Sequence, residues 1–314
     1  MHPAGPLRSL QEASSGLAVA LVLTAACGEP TSPGSGLHAD ACLATLECPG
    51  AAETVAPPRI RTSADASGSP PARDVTDVRG ARGLEDDAAP ALFVVTRTRG
   101  YRHGSIVDGL VALEGLSGRL GLGFLHASED ADLGCLGSAG ACGVPPGSAP
   151  IVVLLSTTGD FLSDAETEAL DEHVRTGGAL LGLHAATDAE TDTPAYGALL
   201  GAWFARHPAT QPARVRVVTP AHPAVQGVPL EITRTDEWYD FTASPVDTTV
   251  LLVVDEASYD GGGMGDPHPV AWAHERGAGR VFYTAMGHTP ESFTEPYFVS
   301  HLEAALRWLS EPRP

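Results

Sequence analysis

From residue 91 onward the chain alternates short, wholly apolar runs with longer stretches in which apolar side chains recur with a helical period. Short apolar runs are typical of strands buried on both faces of a sheet, whereas a 3.6-residue period is typical of amphipathic helices. The pattern therefore predicts strands at residues 91–96, 122–126, 151–156, 179–183, 213–218, 250–254, 270–272 and 280–284, and helices at 106–116, 165–174 and 295–309.

The helix at residues 165–174 has its own start and stop signals in the sequence. Ser163 is followed three positions later by Glu166, which is the spacing of a capping box. Gly177 and Gly178 follow the last turn, where helices commonly end. Strands that alternate with helices in this way predict a mostly parallel sheet covered by helices on both faces. We therefore expect one α/β domain over residues 89–311.

The first 27 residues are typical of a secretory signal that ends at a lipid-attachment cysteine. The apolar run from Leu17 to Leu23 is too short to cross a bilayer, and the small residues Thr24 to Ala26 precede Cys27. Thr24 stands where a bacterial lipobox usually has leucine. Lipidation of Cys27 is the leading expectation, and simple cleavage or an uncleaved tail are the alternatives.

Residues 28–88 have the composition of a flexible tether, because Gly, Pro, Ser, Ala and Asp dominate and the aliphatic residues have no period. Export to an oxidising compartment would favour disulfides between neighbouring cysteines, Cys42 with Cys48 and Cys135 with Cys142. Free buried thiols are the alternative. We expect an exported protein of the cell envelope or periplasm, attached to a membrane through its lipid anchor.

The charge balance excludes several classes of function. The sequence has 19 basic and 39 acidic residues, which gives a net charge of −20. Nucleic acid and anionic lipid would be repelled, so neither is expected as the main partner. Lysine is absent from the sequence, which excludes Schiff-base catalysis and a phosphate-binding loop lysine. A neutral or cationic small molecule is easier to reconcile with such a surface.

Polar side chains follow the predicted strands, at the edge where ligands bind in open α/β sheets. Three histidines share this placement: His103 follows the first strand, His184 the fourth, and His288 the strand at residues 280–284. The topology should bring these strand ends together. Other polar residues after these strands are Tyr101, Arg102, Asp188 and Glu291, and Thr157 and Thr158 follow the third strand.

Five strings at or near these positions resemble those of a known family. They are Tyr101 to His103, Gly182 to Asp188, Asp236 to Tyr239, His268 to Trp272, and Tyr283 to His288. In this order, over roughly residues 91 to 309, they resemble the ThuA-like (trehalose-utilisation) family. The resemblance implies a flavodoxin-like three-layer α/β/α sandwich similar to class I glutamine amidotransferases. It also implies a role in carbohydrate metabolism, associated with trehalose and related disaccharides.

The turn after the fourth strand departs from the amidotransferase pattern. In that fold the turn is a nucleophile elbow, with a cysteine or serine between small residues. Here Gly182, Ala185 and Ala186 supply the small residues, but His184 stands at the nucleophile position. Acyl-enzyme chemistry of the amidotransferase kind is therefore not expected. An imidazole at such a turn can transfer protons or bind a metal, and both remain open.

The leading hypothesis is an enzyme that acts on a sugar or on an oxidised (keto) disaccharide derivative. As a hydrolase, lyase or isomerase it would use acid–base chemistry, and a divalent transition metal stays open as a cofactor. His184 and His288 would exchange protons with the substrate, helped by Glu237 or Asp188, because the ordinary pKa of histidine lies near ambient pH. His103 is a further candidate catalytic residue because it occupies the same sheet edge.

The predicted substrate contacts combine aromatic, charged and hydroxyl side chains. Glu237 next to Trp238 and Tyr239 is a sugar-binding composition, since the rings can stack on a pyranose and the carboxylate can accept hydroxyl hydrogen bonds. His207 precedes a proline and is interpreted as a turn residue. The candidate binding residues are Tyr101, Arg102, Thr157, Thr158, Trp238, Tyr239 and Glu291.

Two alternatives remain open at this point. One is a sugar-binding lipoprotein without catalysis. The other is a metal-dependent hydrolase or isomerase in which His103, His184 and His288 bind a divalent transition metal, since three imidazoles match the count of a catalytic zinc site. No HxH or HExxH spacing brings two of these ligands together locally, so they would have to converge through the fold. The oligomeric state is not predicted.

Overall fold

The computed structural model describes residues 90–127, 129, 131–137 and 150–312. The predicted signal, the Cys27 lipidation site, the tether and the Cys42–Cys48 pair lie outside these residues. Cys142 also lies outside them, so the Cys135–Cys142 disulfide stays a prediction. Among the described residues, no helix has the length and apolar character needed to cross a membrane.

The domain contains eleven strands and four α-helices within its described residues. The strands are β1 (Ala91–Val95), β2 (Gly123–His126), β3 (Ile151–Leu155), β4 (Ala179–Leu183), β5 (Phe204–Arg206), β6 (Gln211–Val217), β7 (Glu231–Asp236), β8 (Asp240–Phe241), β9 (Thr249–Val254), β10 (His268–Arg276) and β11 (Gly279–Thr284). The helices are α1 (Ile106–Leu120), α2 (Asp164–Arg175), α3 (Pro194–Leu200) and α4 (Pro296–Ser310).

Nine strands form one mixed sheet in the order β2-β1-β3-β4-β11-β10-β9-β6-β7. The first five are parallel to one another. The pairs from β11 to β7 are all antiparallel. The α/β class with a parallel core is therefore confirmed. The antiparallel half was not predicted, because no helix separates its strands and the apolar pattern alone does not set strand direction.

Helices cover the sheet on both faces. The chain moves outward from β1 through α1 to β2, then returns and moves the other way from β3 through α2 to β4. Since such crossovers are right-handed, a reversal of direction places α1 and α2 on opposite faces. α4 packs beside α1, and α3 packs beside α2. The reversal also opens a crevice at the carboxyl ends of β1 and β3, which is where open sheets bind ligands.

The core strands and α2 form for the reasons that the sequence indicates. Every residue of β1, β3 and β4 is buried. At the start of α2 the Ser163 hydroxyl accepts a hydrogen bond from the Glu166 amide, and the Glu166 carboxylate accepts one from the Ser163 amide at 2.8 Å. The carboxylate also pairs with the buried Arg97 at 2.8 Å. The capping box is confirmed, and it ties α2 to the segment that follows β1.

Candidate functional site

Four side chains from distant parts of the sequence meet at the carboxyl edge of the sheet. We call His103, His184, Glu237 and His288 the His–Glu centre. One nitrogen or carboxylate oxygen from each lies within 4.8 Å of those of the other three. His184 is fully buried, and His103 and Glu237 are each 7% exposed. His288 is the most accessible member, with 24% of its side chain exposed, so the centre opens to solvent on its side.

His184 stands on a sharp turn directly after β4. Its φ angle is +50°, a left-handed value that is uncommon outside glycine and that clusters at functional sites. The Tyr283 hydroxyl donates to the His184 carbonyl oxygen at 2.8 Å, and the His184 ring meets the Ala285 carbonyl oxygen through Nδ1 at 2.8 Å. A carbonyl can only accept, so Nδ1 carries a proton, and in the neutral ring Nε2 keeps a lone pair.

The Nε2 lone pair of His184 is directed into the centre. The Tyr239 hydroxyl lies 2.9 Å from it and donates to it. His288 Nδ1 is 3.3 Å away and Glu237 Oε2 is 3.5 Å away. Burial raises the pKa of Tyr239 well above its usual value, so this hydroxyl keeps its proton. His184 is therefore presented as a neutral imidazole with its accepting nitrogen toward the other three residues.

Glu237 and His288 form a close pair with 3.1 Å between Oε2 and Nδ1. Burial alone would raise the pKa of Glu237, but the neighbouring rings of His184 and His288 outweigh it and hold that pKa well below its usual range. The hydrogen bond to Glu237 raises the pKa of His288, against the opposite effect of burial. For His103, burial first and then the neighbouring His184 and His288 lower the pKa to about 3. The centre thus favours an ionised carboxylate, a protonated His288 and a neutral His103.

A buried ion pair holds the loop that carries His288. Asp236 is fully buried at the end of β7 and accepts hydrogen bonds from the amides of Gly287 at 2.9 Å and His288 at 3.0 Å. Arg234 pairs with Asp236 at 2.6 Å and with Glu295 at 2.7 Å. The carboxylate therefore ties the loop after β11 to β7, which brings Glu237 and His288 together. No role was predicted for Arg234, and Asp236 was predicted only as part of the string Asp236 to Tyr239.

Asp188, Thr157 and Thr158 lie beside the centre rather than in it. Asp188 is half-buried, and burial raises its pKa. The His184 ring bonds Ala285 and Tyr239 instead of Asp188. Both threonines are fully buried, and the Thr158 hydroxyl donates to the Tyr101 carbonyl oxygen at 2.9 Å. Thr158 therefore positions the loop after β1, which carries His103.

The remaining predicted binding residues differ in what they can reach. Trp238 is fully buried and its Nε1 donates to the Gln211 carbonyl oxygen at 2.9 Å, so the structure does not bring a free face of this ring to the site. Tyr101 is 67% exposed, and its ring centroid lies 4.8 Å from that of His103 at an interplanar angle of 88°. The aromatic surface at the rim therefore comes from Tyr101. Glu291 is exposed on the turn Pro290–Thr294.

Arg102 reaches away from the centre. Its guanidinium donates to the Thr96 carbonyl oxygen at 2.8 Å and to the Glu129 carboxylate at 2.9 Å. His207, interpreted from sequence as a turn residue, lies close to the centre instead, with Nδ1 3.6 Å from Glu237 Oε1. Its ring stacks on Tyr239 with 5.6 Å between centroids. No sequence signal could have placed it, because the preceding strand β5 has only three residues.

The fold and the site together define an α/β sandwich protein with histidine at the elbow where amidotransferases carry a nucleophile. Residues 91–309 match the family model of ThuA, described as trehalose utilisation, so the chain belongs to the ThuA family. The predicted family is thus confirmed, and with it a broadly carbohydrate-related assignment.

Two solved structures described as ThuA-like share this fold. The one from Bacteroides uniformis has 21% sequence identity and a TM-score of 0.57, and the match covers 73% of this chain and 95% of that chain. The one from Parabacteroides merdae has 18% identity and a TM-score of 0.57, and the match covers 71% and 90% of the two chains. A comparison with curated proteins gave no match.

Proposed function

We propose that this chain is an enzyme that acts on a sugar, or on an oxidised (keto) disaccharide derivative, by proton transfer at the His–Glu centre. The observation that carries the proposal is the meeting of His184 Nε2 with His288 Nδ1 at 3.3 Å and with Glu237 Oε2 at 3.5 Å. These residues converge from three separate segments. The family's association with trehalose utilisation supports the substrate class.

The two histidines suit opposite roles in this chemistry. His184 presents an unprotonated Nε2, because its Nδ1 proton is held by the Ala285 carbonyl, and it acts as the base. Glu237, hydrogen-bonded to His288, favours the protonated form of that ring, which acts as the acid. An acid and a base set by different environments are what general acid–base catalysis requires. Hydroxyl and carbonyl groups are the sugar atoms that would exchange these protons.

The accessible rim of the centre fits a neutral carbohydrate. The exposed ring of Tyr101 stands edge-on to His103 and offers a surface for the apolar face of a pyranose. Glu291 is exposed and follows His288 closely in the sequence. Its carboxylate can accept hydrogen bonds from sugar hydroxyl groups. The net charge of −20 disfavours an anionic substrate.

The proposal is tested by turnover. The purified full chain is assayed with trehalose, maltose and their keto forms, alongside a His184→Ala variant. General acid–base catalysis contributes about 10²–10⁴-fold, so the variant should lose about that factor. Unchanged turnover in His184→Ala would remove the mechanism. His222→Ala is the matched control, because His222 caps the turn Pro223–Val225 and packs on Trp308, away from the centre.

A non-catalytic sugar-binding protein is the second candidate, and the exposed ring of Tyr101 favours it equally, since stacking needs no proton transfer. It requires saturable binding that survives His184→Ala and depends on an aromatic ring. Calorimetry with the same sugars separates the two functions. Turnover gives a continuing heat signal, whereas binding gives heat that ends at saturation.

The place of action belongs to the same proposal. We propose that the protein lies outside the cytoplasm, attached to a membrane by a lipid. The apolar run from Leu17 to Leu23 and the cysteine at position 27 support this location. It should therefore sediment with membranes and be released by detergent. A Cys27→Ser variant should lose this behaviour while the domain keeps its activity. A wild-type chain whose Cys27 carries no acyl mass would contradict lipidation.

A further inference from the structure

Three atoms of the His–Glu centre that could bind a metal ion form a nearly equilateral triangle. His288 Nδ1 and Glu237 Oε2 are 3.1 Å apart, His288 Nδ1 and His184 Nε2 are 3.3 Å apart, and His184 Nε2 and Glu237 Oε2 are 3.5 Å apart. A tetrahedral zinc ion with ligand bonds of about 2.0–2.1 Å separates its ligand atoms by about 3.3–3.4 Å. The triangle therefore has the dimensions of one face of a metal's coordination shell.

Hydrogen bonds within the protein do not account well for this triangle. His184 Nε2 carries no proton, because the ring donates through Nδ1 to Ala285 while Nε2 accepts from the Tyr239 hydroxyl. A single proton on His288 Nδ1 would have to be shared between Glu237 and His184. The three ligand atoms face one point and carry at most one proton among them. Their lone pairs therefore outnumber the protons they could share. A cation at that point would use all three lone pairs, and the Tyr239 hydroxyl would then give up its hydrogen bond to His184 Nε2.

His103 is a second, independent observation. It is 7% exposed, and its Nδ1 is buried without a hydrogen-bond partner among the described residues. One of its ring nitrogens lies within 4.8 Å of the ligand atoms of the other three residues. A buried polar atom without a partner is costly unless something outside the protein supplies one.

The surroundings of His184 also suit a metal ligand. A histidine that binds a metal usually donates its other ring N–H to a backbone carbonyl or a carboxylate, which fixes the tautomer. His184 does so to Ala285 at 2.8 Å. The left-handed turn at φ +50° fixes the backbone of the same residue. The ring is thus oriented before any ligand arrives.

We propose that the His–Glu centre binds one divalent transition metal through His184 Nε2, Glu237 Oε2 and His288 Nδ1, with His103 beside the fourth position. Imidazole and carboxylate without thiolate suit Zn²⁺ and its neighbours in the first transition row, and we take Zn²⁺ as the occupant. This set, two histidines and one glutamate, is one of the three-ligand sets that zinc enzymes use with an open position.

The inference rests on the proposed function in that it gives a cofactor to the same centre. The lone pair of His184 cannot bind a metal and accept a proton at once. In the loaded protein, a metal-bound water, whose pKa zinc lowers to about 7, takes over the role of the base. His184 and His288 then serve as ligands, and metal content decides which group accepts the substrate proton.

Metal binding can be measured without any substrate. The full chain is purified, stripped with chelator and dialysed against Zn²⁺, and the bound metal is counted; Co²⁺ is then used for its visible absorption. We expect one Zn²⁺ per chain and a Co²⁺ spectrum with nitrogen and oxygen ligands. His184→Ala and Glu237→Gln should each weaken Zn²⁺ binding more than about 100-fold, because loss of a group that only hydrogen-bonds to a metal ligand already weakens it about 10–100-fold.

Glu256→Gln is the matched control, because Glu256 belongs to the other described cluster of histidine and carboxylates, Asp240, Glu256 and His268. Binding lost in Glu256→Gln but kept in Glu237→Gln would overturn the assignment, as would a wild-type chain that binds neither Zn²⁺ nor Co²⁺. Circular dichroism checks that each variant folds, and the partly exposed His288→Ala replaces His184→Ala if the latter does not. Full sugar turnover by the metal-free protein would end the inference but leave the proposed function intact. One bound Zn²⁺ without turnover of any sugar would do the reverse.

Discussion

The part of the chain that the structure describes contains two clusters of histidine and carboxylate that look alike in composition but differ in how their polar atoms are bonded. The His–Glu centre joins His103, His184, Glu237 and His288, and the Glu256–His268 network joins Asp240, Glu256 and His268. Both bring ligand atoms within 4.8 Å of one another, and both contain a fully buried histidine. Their composition alone would not tell which of them carries chemistry.

In the Glu256–His268 network the polar atoms of His268 and Glu256 are matched by hydrogen bonds, and Asp240 Oδ2, which has no hydrogen-bond partner among the described residues, pairs with the Arg206 guanidinium at 2.5 Å. His268 bonds Glu256 through Nδ1 at 2.8 Å and the Tyr239 carbonyl oxygen through Nε2 at 2.8 Å. The same Glu256 oxygen accepts the amides of Met264 at 2.7 Å and Gly265 at 2.9 Å. Such a network holds the loop before β10 and fixes the backbone of Tyr239. Its role is structural.

In the His–Glu centre the lone pairs converge and remain in excess. His184 Nε2 accepts from Tyr239 but also faces His288 and Glu237, and His103 Nδ1 has no hydrogen-bond partner among the described residues. Unmatched buried polar atoms cost stability, and where several of them converge on one point they indicate that a ligand or a reaction uses them. The comparison teaches that the partners of each atom, rather than the residue types, separate a reactive centre from a structural one.

A matched pair of substitutions tests most directly whether the two clusters differ in function. Glu237→Gln removes the charge that pairs with His288, and it should lower kcat on the active sugar about 10²–10⁴-fold, the usual contribution of acid–base groups. Glu256→Gln keeps an accepting oxygen for the amides of Met264 and Gly265, so it should change kcat less than about 10-fold. Steady-state kinetics measure both. Equal losses in the two variants would contradict the distinction.

The fold allows a second, slightly smaller effect to be predicted at Asp236. Asp236→Ala leaves the buried Arg234 without its closest carboxylate and frees the amides of Gly287 and His288. Breaking a buried pair in this way destabilises proteins by about 3–5 kcal/mol, and we expect the lower end because Glu295 remains. Unfolding in urea gives the free energy.

Glu172→Ala serves as the control for Asp236→Ala. Glu172 pairs with Arg175 on the exposed face of α2, with about half of each side chain accessible. Exposed pairs contribute little, so this variant should unfold at nearly the wild-type urea concentration. If Asp236→Ala were no less stable than Glu172→Ala, the buried pair would not be what ties β7 to the His288 loop.

His301 contrasts with the histidines of both clusters, because it is a buried histidine without an acidic neighbour. Neither ring nitrogen has a hydrogen-bond partner among the described residues, and burial, with a smaller effect from Arg234, lowers its pKa to about 3. The unfolded chain takes up the proton near pH 6.5 and the folded chain near pH 3. Stability is therefore complete above pH 6.5 and falls as pH drops through this window, by about 2 kcal/mol at pH 5.

A His301→Leu variant tests this contribution. Leucine keeps the site apolar but does not titrate, so the loss of stability between pH 7 and pH 5 should be smaller by about 2 kcal/mol than in the wild type. Urea unfolding at the two pH values measures it. Other groups titrate in both proteins and cancel in the difference. An identical pH dependence in the variant would show that His301 is protonated in the folded protein.

Much of the parallel half could be predicted from sequence. β1, β3 and β4 are continuous apolar runs because both of their faces are covered, and α2 announces its start through Ser163 and Glu166. The antiparallel half is harder to predict. In β7, at the edge of the sheet, only Arg234 and Asp236 are buried, so this strand has no apolar pattern. α3 has seven residues, too few to show a helical period.

The candidate site divides in the same way. His103, His184 and His288 could be predicted because each follows a strand of the parallel half, whose ends meet by topology. The difference in solvent exposure between Trp238 and Tyr101 could not be predicted. Both are aromatic residues beside a site motif, but Trp238 is fully buried and Tyr101 is 67% exposed. Which ring faces solvent depends on how distant segments pack, and composition does not carry that information.

The smallest effect we predict is at Tyr101, whose ring could either stack on the sugar or orient His103. Because its ring is exposed and touches the centre only through the edge of His103, Tyr101→Ala should leave the free energy of unfolding nearly unchanged. A stacking contact is worth about 1 kcal/mol, so KM or Kd for the sugar should rise about 5-fold, with kcat little changed. Tyr101→Phe keeps the ring and should restore wild-type affinity. If instead Tyr101→Ala lowers kcat and leaves KM alone, the ring acts by orienting His103, and the sugar stacks elsewhere.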